Sequence, residues 1–469
     1  MNNEKSKKKR GLRVPHTYTI IFAIILFMTI LTWIVPSGEF DTEETADGRT
    51  VVISGTYHEV ESNPQGVDDL FTSPIKGIID AAETIGFVLI VGGAFGVINR
   101  TGAVEAGIGR ASKIFGKKEM LIIPLCMILF GLGGTTFGMC EETLPFYMIF
   151  IPLMMSLGYD SLTGLSVVYI GAAAGTCAST VNPFSVGLAQ SLAELSPGSG
   201  IVYRGIIWVI MMAVSIIFVM MYARRVKKDP EKSVVYSLDK INRESLQNGA
   251  GEIKEFTRRD GAVLLVFGAG MAVMVWGVLA RGWYTQEISM IFMMIGLFGG
   301  IAGGLREDEI ADSFISGAKD LIYAALVIGL ARAIVIVAQD GKIIDTILNA
   351  AANLLGGMPK VIFVNLMMFV QNVIAFFVPS SSGHAALTIP IMAPLSDLVD
   401  VSRQNIITAY QFGTGITSFI TPTNGVLMAC LAMAKIPWAR FVKFVMPLII
   451  VLWIIGIAAL TIGLQVFPA

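Results

Sequence analysis

Charge is scarce in this chain. Asp, Glu, Lys and Arg make up 15% of its 469 residues, against roughly a quarter in a soluble domain. The scarcity is concentrated. Residues 120–140, 161–189, 261–280, 288–305, 361–396, 404–434 and 444–469 contain none of the four. About 20 apolar residues cross the hydrocarbon core as a helix, so these stretches exclude a soluble enzyme, a nucleic-acid binder and a secreted scaffold. Cysteine is rare as well. Cys126, Cys140, Cys177 and Cys430 all lie in apolar stretches and form no C-x-x-C pair, which leaves neither a disulfide framework nor a metal site. H-E-x-x-H, a Walker A loop, a Cys/His ligand set and G-x-S-x-G are all missing. Nothing therefore supports an enzyme, or ATP-driven transport by this chain alone.

What is present fits a lipid environment. Apolar residues make up 54% of the chain, and its 49 glycines suit close helix packing and broken helices in lipid. The expectation is an all-α polytopic membrane protein. Lys5, Lys7, Lys8, Lys9, Arg10 and Arg13 precede an apolar run from Thr17 to Pro36. That run is too long for a signal-peptide core and lacks an A-x-A-like exit. It reads as an uncleaved first span with the N-terminus in the cytoplasm.

The chain repeats itself at a shift of about 240 residues. Ile75-Lys76-Gly77 with Asp80 recurs as Ile315-Ser316-Gly317 with Asp320. A span follows each, then a short amphipathic stretch marked by Val104, Ile108 and Phe115 or by Ile344, Ile347, Ala351 and Leu354. Glu105 and Asp345 sit in corresponding places. Each copy continues with a long apolar segment interrupted by a small polar cluster, Cys140-Glu141-Glu142-Thr143 or Ser380-Ser381-Ser382-Gly383-His384. A helix broken by proline among polar residues comes next, at Ser179-Thr180-Val181-Asn182-Pro183 and at Thr421-Pro422-Thr423-Asn424. A last span closes each copy.

Basic residues orient this pattern. The expected order is a cytoplasmic basic N-terminus (1–16), a first transmembrane helix (17–36), an extracytoplasmic loop (37–72) and a first repeat (73–224) with a cytoplasmic-side hairpin (119–157). A cytoplasmic linker (225–259), two scaffold helices (260–305) and a second repeat (306–469) with an outer-side hairpin (361–397) follow. Sign alone does not separate a re-entrant hairpin from a helix pair. The polar tips and matching broken helices favour hairpins. The expectation is an inverted repeat with about nine transmembrane helices and two re-entrant hairpins, in the cell membrane, with the C-terminus outside. Such repeats place a substrate site at the midplane, where discontinuous helices meet.

Polar groups in hydrocarbon cost several kcal/mol each unless satisfied. Glu141 and Glu142 suit a cation seat, for a substrate ammonium or guanidinium or a coupling proton; the alternative is a turn that reaches water. At the breaks, proline frees a carbonyl. Ser179, Thr180, Asn182, Thr421, Thr423 and Asn424 can then face a solute, or the breaks are plain kinks. Ser380, Ser381, Ser382 and Gly383 can turn tightly and present N–H groups to an anion. His384 either titrates there or is an ordinary hydrogen-bonding residue. Arg332 either receives a substrate carboxylate or pairs with Asp320, Asp340 or a backbone carbonyl. Gln371 and Asn372 read as interhelical glue.

Gly92-Gly93-Ala94-Phe95-Gly96-Val97, Gly138-Met139-Cys140-Glu141-Glu142, Leu157-Gly158-Tyr159-Asp160-Ser161, Asn182-Pro183-Phe184, Gly383-His384-Ala385-Ala386-Leu387-Thr388, Val401-Ser402-Arg403-Gln404 and Gln411-Phe412-Gly413 resemble the YfcC family over nearly the whole chain. That family sits in the anaerobic C4-dicarboxylate carrier group of the ion-transporter superfamily. The resemblance implies an elevator-type fold in a homodimer, with a scaffold and a moving transport domain. It implies a site at Glu141, Glu142, Asn182, Ser381, Ser382, Thr423 and Asn424; Thr143 and Ser380 adjoin it. The group's name points to carboxylates, whereas YfcC-like members are commonly assigned as basic amino acid antiporters, including arginine/ornithine exchange. Sodium carriers of the superfamily often carry Ser-Asn-Thr at both tips, a pattern from which this chain departs. The reading is a secondary transporter for a small-molecule substrate in a lipid bilayer, exchanging basic amino acids. A proton- or sodium-coupled dicarboxylate carrier is the runner-up and a channel the third option. No cofactor beyond such a coupling ion is expected, and no nucleic acid.

Overall fold

The computed structural model describes residues 17–44, 50–104, 106, 107, 110, 116–196, 198–240, 256–281, 283 and 285–468. The basic cluster before Pro15, the residues Glu105, Ile108 and Phe115, and linker residues 241–255 lie outside them. Among the described residues, eight helices are long and apolar enough to cross a membrane. Six match expected spans. In chain order these are α3 (Ala82–Thr101), α8 (Ile201–Lys228), α9 (Arg258–Arg281), α10 (Thr285–Gly303), α12 (Ile322–Asp340) and α18 (Trp438–Val466). The other two are the first arms of the hairpins, α4 (Ile122–Phe137) and α14 (Lys360–Phe377). The expected count of nine differs because it included the shorter α1 (Thr17–Ile34) and the two broken helices, and left the arms out.

Two elements depart from expectation. The loop at 37–72 is not free of strands. Gly38–Glu39 (β1) pairs with His58–Glu59 (β4), and Thr42–Glu44 (β2) pairs with Thr50–Val52 (β3). The β-branched run Thr50-Val51-Val52-Ile53 suits such a pairing. The second departure is a pair of amphipathic helices preceding α3 and α12, namely α2 (Val67–Asp80) and α11 (Glu307–Asp320). Their acidic first turns, Asp68-Asp69 and Glu307-Asp308-Glu309, complement the helix dipole.

The remaining helices are α5 (Leu144–Ser156), α6 (Ser161–Cys177), α7 (Leu188–Leu192), α13 (Ile344–Leu355), α15 (Ser381–Leu398), α16 (Arg403–Ser418) and α17 (Gly425–Met433). Packing sorts most helices into two groups. In one, α2 lies on α12, α11 on α3, α3 on α10, α10 on α9 and α1 on α12. In the other, α4 and α5 lie on α6, α6 on α8, α14 and α15 on α16, and α16 on α18. The main bridge between the groups is α12 against α17. Glycine makes the first group tight. The Gly317 backbone on α11 touches that of Gly92 and Gly96 on α3, and Gly77 on α2 meets the Gly329 carbonyl on α12. The helix that opens each half thus covers the span of the other half.

The loop after α1 is fastened to the end of α12. Ser37 Oγ donates to the Gly341 carbonyl at 2.9 Å, the Phe40 N–H to Asp345 at 3.1 Å, and Lys76 pairs with Asp340 at 2.5 Å. Opposite bases anchor the hairpins. At the base of the first, Lys227 pairs with Glu119 at 2.6 Å. There Asp160 caps α6 while accepting from Tyr222 and Ser233 at 2.5 and 2.6 Å. At the base of the second, Arg403 pairs with Asp397 at 2.7 Å and reaches Glu194, beyond the far end of α7, at 2.9 Å. The chain from α6 to α7 therefore runs from the mouth of one hairpin to the mouth of the other.

The glycine crossings set a stability expectation. A Gly317→Val side chain has no room against the α3 backbone, and overpacking costs about 1–3 kcal/mol. Gly86, on the same α3, faces open space. A thermal melt in detergent should show a lowered midpoint for Gly317→Val and an unchanged or raised one for Gly86→Ala. Equal midpoints would show that α3 and α11 have slack.

Candidate functional site

Both hairpin tips and both helix breaks meet at one cavity of about 380 Å³, within the roughly 300–1,000 Å³ usual for small-molecule sites. The first hairpin supplies Gly138 through Thr143, the second Pro379 through Ser382. The breaks supply Asn182 and Phe184, and Ser418, Thr423, Asn424 and Gly425. The opposite wall belongs to the other helix group: Asp80, Ala81, Thr84, Ile328 and Arg332.

Capping residues build the polar side. α4 ends at Gly138, whose φ of +75° lies in the left-handed region that glycine occupies without strain. A side chain there would also strike the Asn182 amide. The chain turns through Cys140, whose N–H donates to Glu142 at 3.0 Å, and enters α5. Asn182 accepts from the Phe184 N–H at 2.9 Å and opens the turn Pro183–Gly187. Ser380 caps α15 by accepting from the Gly383 N–H at 3.3 Å. Asn424 caps α17 by accepting from the N–H groups of Val426 and Leu427 at 3.0 and 3.2 Å. The N-termini of α5, α15 and α17 thus converge on the cavity, each with the positive end of its dipole inward.

The breaks leave carbonyls without helical partners, and most find side chains. Ser179 donates to the Thr135 carbonyl at 3.0 Å, and the Thr180 N–H donates to Thr135 Oγ1 at 2.9 Å, which stitches break to hairpin. Arg204, buried in the first turn of α8, donates to the Thr180 carbonyl at 3.1 Å. In the second half Thr423 donates to the Phe376 carbonyl at 3.0 Å. The two broken helices also serve each other. Tyr169 on α6 donates to the Ser418 carbonyl at 2.6 Å, and Gln411 on α16 donates to the Thr176 carbonyl.

Of the residues singled out in the sequence, Glu141, Glu142, Thr143, Asn182, Ser380, Ser381, Ser382, Thr423, Asn424 and Arg332 line the cavity. His384 and Thr421 do not. His384 is fully buried below the tip, bonded to Gln371 at 2.5 Å and Thr414 at 3.0 Å. Thr421 is bonded to Thr423 at 2.7 Å behind the break. Arg332 pairs with Asp80, not with Asp320 or Asp340; α2 lies alongside α12, while Asp340 is taken by Lys76. Among the described residues no Lys or Arg forms an ion pair with Glu141 or Glu142. Sequence reasoning missed Asp80, Tyr169 and Arg204. Arg204 carried a signal, a lone charge early in an apolar helix. Tyr169 carried none, because an aromatic residue inside a span reads as packing.

The crosswise bonds should be needed for stability. Tyr169→Phe leaves the Ser418 carbonyl with only the longer bond from the Asn424 amide at 3.4 Å, a loss of about 1 kcal/mol. Chemical unfolding of the purified protein should show that loss for Tyr169→Phe and for Gln411→Leu. Wild-type stability in both would mean that water already serves these carbonyls.

Comparison with known proteins adds the following. The pattern of the DcuC family, C4-dicarboxylate anaerobic carrier, matches residues 14–465. A protein of Escherichia coli K12, YfcC, provisionally named a basic amino acid antiporter, is 37% identical, over 98% of each chain. An uncharacterized protein of Haemophilus influenzae is 33% identical, over 99% of each chain. Among solved structures, the YdaH transporter of Alcanivorax borkumensis aligns with a TM-score of 0.43 at 15% identity, over 96% of this chain and 99% of that one. MtrF of Neisseria gonorrhoeae, of a class of antimetabolite efflux pumps, aligns at 0.41 and 18%, over 96% of each.

Proposed function

Because the chain belongs to the DcuC family, and is a multi-pass membrane transporter rather than an enzyme, we propose that it exchanges basic amino acids, of the arginine/ornithine type, across the cell membrane. One observation carries this reading. Two adjacent carboxylates with no cationic partner among the described residues share a cavity with the N-termini of α15 and α17. A basic amino acid brings a cation for the first and a carboxylate for the second. Glu142, with Glu141, receives the guanidinium or ammonium group. The N–H groups at Ser381, Ser382 and Gly425, with the Asn182 amide, receive the α-carboxylate. The provisional name of the Escherichia coli relative agrees with this reading.

The path is an inverted repeat working as an elevator. Support comes from hairpin mouths at opposite ends of the α6–α7 segment, and from both tips and the two helices that lead into the breaks, α6 and α16, which pack in one group. The other group serves as the scaffold, in a homodimer, with the N-terminus in the cytoplasm and the C-terminus outside. Exchange of one cation for another needs no coupling ion, so neither proton nor sodium dependence is expected. Arg332 in the cavity wall favours a second reading, a C4-dicarboxylate carrier. Its charge, however, is already met by Asp80.

Counterflow in proteoliposomes separates the two. External ornithine should accelerate efflux of labelled arginine without sodium, succinate should not, and Glu142→Gln should abolish the exchange while the protein stays folded. Acceleration by succinate alone would establish the dicarboxylate reading. Wild-type exchange by Glu142→Gln would remove the cation seat.

A further inference from the structure

We propose that Arg332 and Asp80 form a carboxylate anchor that holds the cargo from one side of the membrane only. The inference rests on the function proposed above and assigns a role to the wall opposite the tips. Arg332 is the cavity's cation on that wall, in the middle of α12, and Asp80 is the last residue of α2. Within the guanidinium only Nε is engaged, by Asp80 Oδ2. Both Nη groups are without a partner among the described residues, on a side chain that is 29% exposed. Asp80 therefore fixes the plane of the guanidinium and leaves its two-nitrogen edge to a carboxylate. That edge is the geometry for a bidentate bond.

The anchor differs from the tips in where it is mounted. α2 and α12 pack on each other and on α1, with Gly77 against Gly329, in the group that carries neither tip nor break. When the tip-bearing group moves with its cargo, the neutral donors at Ser381, Ser382 and Asn182 travel with it. Arg332 and Asp80 stay behind. The cargo is thus held by both walls in the arrangement described here and by the tips alone after the move. Arg332 then selects for an α-carboxylate at one face, and the loss of its bond eases departure from that face.

The test uses full-length protein in proteoliposomes of uniform, known orientation. Half-saturation for arginine is measured at each face, with agmatine, which has the guanidinium but no carboxylate, as the comparison cargo. Arg332→Gln should raise half-saturation for arginine about tenfold or more at one face, the loss of one charge-assisted pair. It should change the other face by less than about twofold, a factor well under one such pair, and should not raise half-saturation for agmatine at either face, since the Asp80 left unpaired attracts a cation. Agmatine exchange at the wild-type rate shows that the variant is folded. Should it misfold, Asp80→Asn serves instead, with a smaller loss at the same face because the guanidinium keeps its charge but not its fixed plane. Equal losses at both faces, or an equal loss for agmatine, would overturn the anchor while leaving the exchange function in place. A wild type that carries no cationic amino acid would overturn both.

Discussion

The site depends on how two interrupted helices cross. A carbonyl freed from a helix in a water-poor interior costs free energy unless a donor reaches it. α6 and α16 solve this for each other: Tyr169 serves the carbonyl at the end of α16, and Gln411 the carbonyl at the end of α6. The two donors stand 242 positions apart in the chain, and so do the two acceptors, Thr176 and Ser418. Gly415 lets the backbones come close enough, since a side chain there would strike Cys177. Each break therefore draws one of its donors from the other half. The hairpin tips then take their places from the breaks, through Thr135 in the first half and the Phe376 carbonyl in the second.

That arrangement frees the cavity polar groups for a solute. The carbonyls of Thr135, Thr176, Thr180, Phe376 and Ser418 are all taken by side chains. What remains facing the cavity is of two kinds, the carboxylates of the first tip and, against them, helix N-termini together with the free edge of Arg332. The first attracts cations and the second anions. A solute bearing one charge would leave the other kind unmet, at the cost of desolvating it. The polar pattern therefore favours a solute with both signs.

Much of this was legible in the sequence, for physical reasons. Charge-free stretches and the interrupting polar clusters mark the spans, tips and breaks, because lipid tolerates unpaired polar groups only in such places. Ten of the twelve residues chosen as binding candidates line one cavity. His384 stood among the candidates because it follows the tip serines directly, yet the first turn of α15 rotates it inward onto Gln371 and Thr414, so it takes the ordinary hydrogen-bonding role of its two readings. The strands at 38–59 were not legible, since pieces of two or three residues have too little alternation to register. Partners across the repeat were invisible as well. Nothing local ties Arg332 to Asp80, 252 positions away, or Tyr169 to Ser418. The first contact arises because each half packs its opening helix on the other, the second because α6 and α16 cross.

The placement of Arg332 in the cavity wall follows from the same exchange of helices. Arg332 lies in a 19-residue apolar helix, where an unpaired charge is costly. Its own half offers Asp320, but α11, which ends there, is packed on α3. The partner available is the residue that ends α2, Asp80. The pair is neutral as a unit, so it adds no net charge to the cavity, and the net charge there is set by Glu141 and Glu142. A dianion would have to approach two carboxylates to reach a guanidinium that is already paired. A cation with a carboxylate at its other end meets attraction at both walls, and this asymmetry, rather than the presence of an arginine, decides which class of solute the cavity suits.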